Sequence, residues 1–283
     1  KAKHVIIYLL LVIVTSSCIR DEAPNAEADI LSCRLPGITM TTSPIINNNS
    51  VTLFVTPGTN ISALAPEFTL TSGATITPAS GTERNFNSPQ EYQVTAADGI
   101  WKKTYAISVI DTELATIYNF EDTISGKKYY IFVERENDKV IMEWASGNAG
   151  YAMTGVAKTA DDYPTFQIAN GKNGKCLSLV TRSTGFFGGL VGMPIAAGNL
   201  FIGSFDVNNA MSNPLQATKF GLPFRHVPTY LAGYYKYKAG DQFTEGGKPV
   251  EGKRDICDIY AIMYETSVSV PTLDGTNAFT SPT

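Results

Sequence analysis

In several short runs of this chain apolar and polar residues alternate with a period of two, the period of β-strands rather than helices. In Tyr92–Val109 (YQVTAADGIWKKTYAISV) two alternating runs flank Asp98-Gly99. Glycine tolerates the positive φ of a tight turn, so the stretch reads as a β-hairpin. Ile30–Leu35, Ser50–Val55, Glu67–Leu70 and Ala74–Thr77 are further strand-like runs, punctuated by Pro36-Gly37, Asn47-Asn48-Asn49, Pro57-Gly58 and Pro78–Gly81. Short strands at this spacing predict an immunoglobulin-like sandwich over residues 29–111. Beyond Glu113 the segments lengthen. Leu114–Phe120, Lys128–Val133, Val140–Ala145, Cys176–Thr181, Leu200–Asp206, Gly233–Lys238 and Ile256–Thr266 read as strands. No segment carries a sustained apolar period of 3.6 with helix caps, and no βαβ alternation occurs. The expected fold class is therefore all-β, with a larger jelly-roll sandwich over residues 112–283.

The N-terminus departs from this texture. Lys1 and Lys3 precede Val5–Val14, a ten-residue apolar run that ends at Thr15-Ser16-Ser17-Cys18. Ten residues are too few to cross a bilayer core of about 30 Å as a helix, but they match the core of a secretory signal. The small-small-Cys ending resembles a lipobox, in which Cys18 would be lipidated and become the mature N-terminus. Residues 1–18 are thus expected to be a lipoprotein signal peptide. The polar, acidic stretch 19–28 is expected to be a flexible tether, its Asp21-Glu22 resembling a surface-export signal. Acylation would anchor the protein to the outer membrane, facing the cell surface, without threading it through.

Composition narrows the chemistry. A net charge of −4 without a basic cluster argues against nucleic acid as a partner. The chain has 4 Cys and 2 His with no CxxC spacing or Cys/His cluster, so neither a metal site nor a cofactor is expected. With Cys18 lipidated, Cys176 and Cys257 can pair or stay free, and Cys33 adds an odd thiol. Gly185–Gly192 (GFFGGLVG) lacks the Lys-Ser/Thr ending of a phosphate loop and reads as a partly apolar loop. Asp274-Gly275-Thr276-Asn277 offers too few oxygen ligands for more than a weak calcium suggestion.

Several motifs follow one another in order: Trp144–Gly150 (WASGNAG), Leu177–Thr181 (LSLVT), Ala197–Gly203 (AGNLFIG), Lys219–Phe224 (KFGLPF), Gly233–Gly240 (GYYKYKAG), Asp255–Ala261 (DICDIYA) and Leu273–Asn277 (LDGTN). Together they resemble the putative carbohydrate metabolism domain family of gut-bacterial lipoproteins, behind an Ig-like module. The resemblance implies a jelly-roll with a sugar-holding pocket and no firmly attached reaction. Family members run on past the LDGTN motif, so this chain is expected to be a fragment, the alternative being a sandwich that lacks its last strands and exposes an edge.

Candidate site residues follow from side-chain chemistry. In Gly233–Lys238, Tyr235 and Tyr237 share one strand face and Tyr234, Lys236 and Lys238 the other. Aromatic faces stack on the C–H face of a sugar, and lysines donate to its hydroxyls. Trp144 and Asn148, at a strand end and Gly-rich turn, suit the same ligand, although a core Trp and a turn-forming Asn fit equally. Glycoside hydrolysis needs two carboxylates, and Glu121, Glu143, Asp206, Asp255, Asp258 and Glu265 are strand-borne candidates. Asp258 and Glu265 stand out as catalytic candidates, Asp258 because a charge inside Ile256–Met263 needs a partner or a ligand. Lys236 or Lys219 could be that partner. The expected saccharide-binding set is Trp144, Asn148, Lys219, Tyr235, Tyr237, Asp258 and Tyr260. Trp101, beside the Asp98-Gly99 turn, reads more readily as a rim packing residue than as a platform.

The expected function is a surface lipoprotein that binds an oligo- or polysaccharide. A glycoside hydrolase and a structural adhesion subunit are the alternatives.

Overall fold

The computed structural model describes residues 24–207, 209–245, 248–267 and 270–278. The segments expected to be a signal peptide, with the lipidation candidate Cys18, lie outside the described residues. The chain is all-β with few helical turns, as the period-two pattern predicts. Its strands are β1 (Ile30–Arg34), β2 (Ile45–Ile46), β3 (Ser50–Phe54), β4 (Glu67–Leu70), β5 (Thr75–Thr77), β6 (Gln90–Thr95) and β7 (Lys102–Ile110). There follow β8 (Val133–Glu136), β9 (Lys139–Ala145), β10 (Thr165–Ile168), β11 (Cys176–Leu179), β12 (Arg182–Ser183), β13 (Ile195–Ala196) and β14 (Phe201–Phe205). β15 (Thr218–Phe220), β16 (Thr244–Glu245), β17 (Lys248–Pro249) and β18 (Leu273–Asp274) complete them. Short helices α1 (Asn148–Ala152), α2 (Gly185–Leu190), α3 (Asn209–Ser212) and α4 (Pro214–Ala217) interrupt the second half.

In the N-terminal unit the β1–β4 ladder packs on a sheet ordered β2-β3-β7-β6-β5. Alternation places Val51 and Leu53 of β3, Tyr92 and Val94 of β6, and Tyr105, Ile107 and Val109 of β7 in one buried core. Asp98 Oδ1 accepts the Ile100 N–H at 2.8 Å and Gly99 takes φ 69°, so the expected hairpin turn forms. Its register runs from Gln90↔Ile107 to Thr95↔Lys102. The alternation does not reveal that β3 runs parallel to β7. A polar clasp joins the two sheets. Tyr105 Oη donates to Asp29 Oδ1 at 3.0 Å, and Lys103 Nζ reaches the same oxygen at 2.6 Å. Ala28, at the end of the expected tether, is already buried in this core. The Cys33 thiol is buried too, and desolvation pushes its pKa up to about 12. Trp101 does not pack at the rim: it is 63% exposed, beside the still more open Ile100.

The C-terminal unit centres on a sheet ordered β18-β15-β14-β9-β8. Asn137 and Asp138 both adopt positive φ (49° and 66°) and turn β8 into β9, the geometry of a two-residue hairpin. β14 pairs β9 through Ile202↔Trp144, and β15 pairs β14 through Gly203↔Phe220. Phe132, Val133, Ile141, Met142, Tyr151, Tyr163 and Leu273 are buried around this sheet.

Four expectations about this unit change. Leu114–Phe120 is irregular, and residues 221–240 and 251–266 form extended segments outside any ladder. Alternating Tyr and Lys fix which side chains share a face, but a strand also needs a neighbour for its backbone groups. Residues 233–238 make no backbone hydrogen bond among the described residues. The second segment is held at its end, where Tyr264 Oη donates to the Phe220 carbonyl at 2.6 Å. Gly221 (φ 96°) gives the room, since a Cβ there would stand 2.6 Å from that hydroxyl. The Gly185–Gly192 stretch also departs from a plain loop, because Gly185–Leu190 is helical with Phe186 and Leu190 exposed.

Candidate functional site

The residues most suited to hold a ligand gather on β8, β9 and the irregular segment before them. Phe120 adopts φ 57°, a left-handed conformation that bulky residues rarely take. Gln167 of β10 holds it there by donating its amide to the Phe120 carbonyl at 2.7 Å and to the Glu121 carbonyl at 2.9 Å. That turn sets the Phe120 ring 5.5 Å from Trp144, while Tyr118 meets Trp144 edge-on at 5.0 Å. Trp144 Nε1 donates to Glu134 Oε1 at 2.8 Å. Trp144, Tyr118, Phe120 and Glu134 are each half-buried, and Asp122 beside them is exposed.

The electrostatics single out Glu134. Burial raises its pKa, the indole hydrogen bond opposes that shift, and the nearby Asp122 carboxylate adds to it. Burial also raises the Tyr118 phenol, reinforced by the Glu134 charge. Glu143 of β9 keeps solvent access, yet dense surroundings raise its carboxyl too, and only the Lys127 charge counteracts this. The cluster thus sets ring surfaces beside a carboxyl that holds its proton more tightly than an exposed acid. It can stack on a sugar, accept from its hydroxyls, and offer a proton. Sequence reasoning missed Glu134 because it sits in a charged run, Glu134–Lys139, that reads as a solvated turn. Asn137-Asp138 was the available hairpin signal.

The expected residues scatter relative to this cluster. Trp144 lies at its centre. Asn148 is fully buried, at 0% exposure, with Nδ2 donating to the Thr165 carbonyl at 2.7 Å and Oδ1 accepting the Thr165 N–H at 3.1 Å. Its amide is committed to β10, so a sugar-binding role gives way to a structural clamp. Asn199 does similar work, accepting the Gly147 N–H at 2.7 Å. Lys219 is exposed on β15, opposite Ser204 and Asp274. Tyr235, Tyr237 and Tyr260 are exposed on the two extended segments, Tyr235 at 71%. The segments approach one another where the Tyr237 phenol nears the Asp255 carboxylate and Cys257. The first also touches the β10–β11 loop, with Lys172 Nζ 3.3 Å from the centre of the Tyr234 ring.

Asp258 and Glu265 are exposed. Asp258 was expected among apolar neighbours with a lysine partner. Its segment is open to water instead, and no ion pair links it to Lys219 or Lys236 among the described residues. No hydrogen bond, ion pair or ring contact among the described residues joins these segments to the Trp144 cluster. Cys176 and Cys257 are free rather than bridged. Among the described residues no group of His, Cys, Asp and Glu could hold a metal, and Asp274 instead caps its own turn by accepting the Thr276 N–H at 2.7 Å. No helix among them is long and apolar enough to cross a membrane.

Residues 119–283, more than half of the chain, match the family described as putative carbohydrate metabolism domain. The chain belongs to that family. Residues 30–109 match a second family, described as SGBP, N-terminal. A crystal structure of a putative glycoside hydrolase from Bacteroides thetaiotaomicron is 85% identical, with a TM-score of 0.88, over 93% of this chain and 77% of that one. A second, of a putative glycoside hydrolase from Bacteroides vulgatus, is 50% identical with a TM-score of 0.52, over 56% of this chain and 63% of that one. No curated protein gives a significant match.

Proposed function

We propose that this protein is a cell-surface lipoprotein that binds carbohydrate through its C-terminal unit. The observation that carries this reading is the contact of Trp144 with Glu134, Tyr118 and Phe120. Ring faces beside a carboxylate acceptor are what a pyranose needs, with its apolar C–H face and its polar hydroxyl rim. Tyr235, Tyr237, Tyr260, Lys219 and Asp258 are a second, exposed surface along which a longer glycan could extend. The SGBP-like match over residues 30–109 supports a spacer that holds the binding unit away from a membrane. The lipid anchor at Cys18 and the outer-membrane location belong to this reading.

Hydrolysis is the second reading, favoured by the raised Glu134 carboxyl with Asp122 beside it and by what the two solved relatives are described as. A raised pKa lets a carboxyl serve as general acid near neutral pH, with the second acid as its partner. Glu134 is better surrounded for that task than the open Asp258 or Glu265.

A glycan array read beside a reducing-sugar release assay on the full-length protein tests both readings. Retention of a glycan without release supports binding. Release that Glu134→Gln abolishes moves the assignment to hydrolysis. Silence in both assays overturns the proposal.

A further inference from the structure

The two units meet in a joint with a cleft of its own. Phe54 and Ile110 of the N-terminal unit and Ile141 of β9 form one small buried cluster, against which Ala115 and Leu222 pack. Lys139 Nζ reaches Asp111 Oδ1 at 2.7 Å beside it, and both side chains are largely shielded from solvent. Beside this joint opens a cleft of about 610 Å³, walled by the connecting segment Thr112–Thr116, the end of β8 and the first extended segment. That volume falls in the range of small-ligand sites, which favour domain junctions.

Its lining has a definite chemistry. Leu114 and Ile141 supply an apolar wall, and Glu113, Glu136, Arg135 and His226 a polar one. His226 Nε2 stands 3.5 Å from Glu113 Oε2, which ties the extended segment to the connector. Arg135 is steadied by donating Nη1 to the Asp138 carbonyl at 2.9 Å. Thr112 Oγ1 is buried without a hydrogen-bond partner, although buried hydroxyls are normally paired. An apolar wall, two carboxylate acceptors, a guanidinium donor and a spare hydroxyl together match a polyhydroxylated ring.

We infer that this interdomain cleft is a second saccharide subsite, distinct from the Trp144 cluster. The ring's C–H face would rest on Leu114 and Ile141. Its hydroxyls would donate to Glu113 and Glu136, and Thr112 Oγ1 and Arg135 would bond its oxygens. The inference rests on the carbohydrate-binding reading, since it takes its ligand class from there. A saccharide held in the cleft touches the connector, β8 and the extended segment at once, and so braces the two units against each other.

The test uses the full chain and the glycan that a glycan array shows it to retain. Calorimetric titration of that glycan is run on the wild type and on Thr112→Val, Glu136→Gln and Trp144→Ala, with thermal melts to confirm folding. The chain has 2 His, so His226→Ala assigns the His226 imidazole resonance in an NMR spectrum. The expected result is that the glycan shifts the His226 resonance, and that Thr112→Val and Glu136→Gln each weaken one binding step at least fivefold. Trp144→Ala should weaken a different step. Unchanged binding in both cleft variants together with an unmoved His226 resonance overturns the cleft, while an effect of Trp144→Ala alone preserves the primary reading. If no glycan is retained, both proposals fall.

Discussion

The two units place their tryptophans in opposite settings. Trp101 stands 63% exposed on a hairpin of a unit whose strands are closed around a continuous core. Trp144 is half-buried, edge-on to Tyr118 and bonded to Glu134, in a unit whose aromatic residues surround a carboxyl. The N-terminal unit buries Val51, Leu53, Tyr92, Val94 and Ile107 in one core, and the polar clasp Asp29–Lys103–Tyr105 is locally satisfied. The C-terminal unit tolerates an unfavourable Phe120 backbone and a carboxyl with a raised pKa. On the proposed reading the N-terminal unit is a spacer, free to be optimised for packing, while local strain and acids made harder to ionise gather where chemistry or binding occurs.

Substitutions can sharpen this contrast. The largest stability effect is expected from Leu53→Ala in the closed core, a loss of about 3 to 4 kcal/mol read by denaturant unfolding. Asn148→Ala should cost about 2 kcal/mol, because the Thr165 N–H and carbonyl lose their partners inside the C-terminal unit. A loss no larger than that of an exposed asparagine would return Asn148 to the list of ligand-binding candidates.

Glu134→Gln should act in the opposite direction. Burial raises the folded-state pKa of Glu134 above its unfolded value of about 4.3, so the folded chain binds more protons in the interval between the two. Stability contributed by this group is therefore present at low pH and lost as pH rises through that interval. The neutral amide avoids the loss while its oxygen still accepts from Trp144. At neutral pH the variant should be more stable than the wild type by under about 1 kcal/mol, given how much of the carboxyl meets solvent. The gain should vanish on acidification below the unfolded value, and melts across a pH series read both ends. A variant less stable than the wild type at neutral pH would show that Glu134 is not desolvated. The smallest effect belongs to Tyr235→Ala on the open segment, within about 0.5 kcal/mol of the wild type in the same unfolding measurement.

How far the sequence foretold all this follows the same divide. β6 and β7 were legible because Asp98-Gly99 lies between runs whose every second residue enters the core. Each strand there has neighbours close in sequence or on an unambiguous face. In the C-terminal unit, alternation in Gly233–Lys238 predicted a two-faced strand but carried no information about a pairing partner, and the segment joins no sheet among the described residues. Asp258 looked costly inside Ile256–Met263 only on the assumption that those residues were buried. Trp144 was legible as a candidate from residue type. Its partner Glu134 was not, because the strand cross-pairing that brings them together spans a turn whose residues read as mere charge. The strained Phe120 is a property of φ, which no residue pattern discloses.

The central claim is that carbohydrate meets the protein at Trp144 rather than at the other indole. The chain has 2 Trp, so Trp101→Phe leaves Trp144 as the only indole fluorophore. Titrating this variant with an array-selected glycan should change the Trp144 emission with a midpoint matching the calorimetric affinity. Calorimetric binding with the Trp144 emission unchanged would contradict the account.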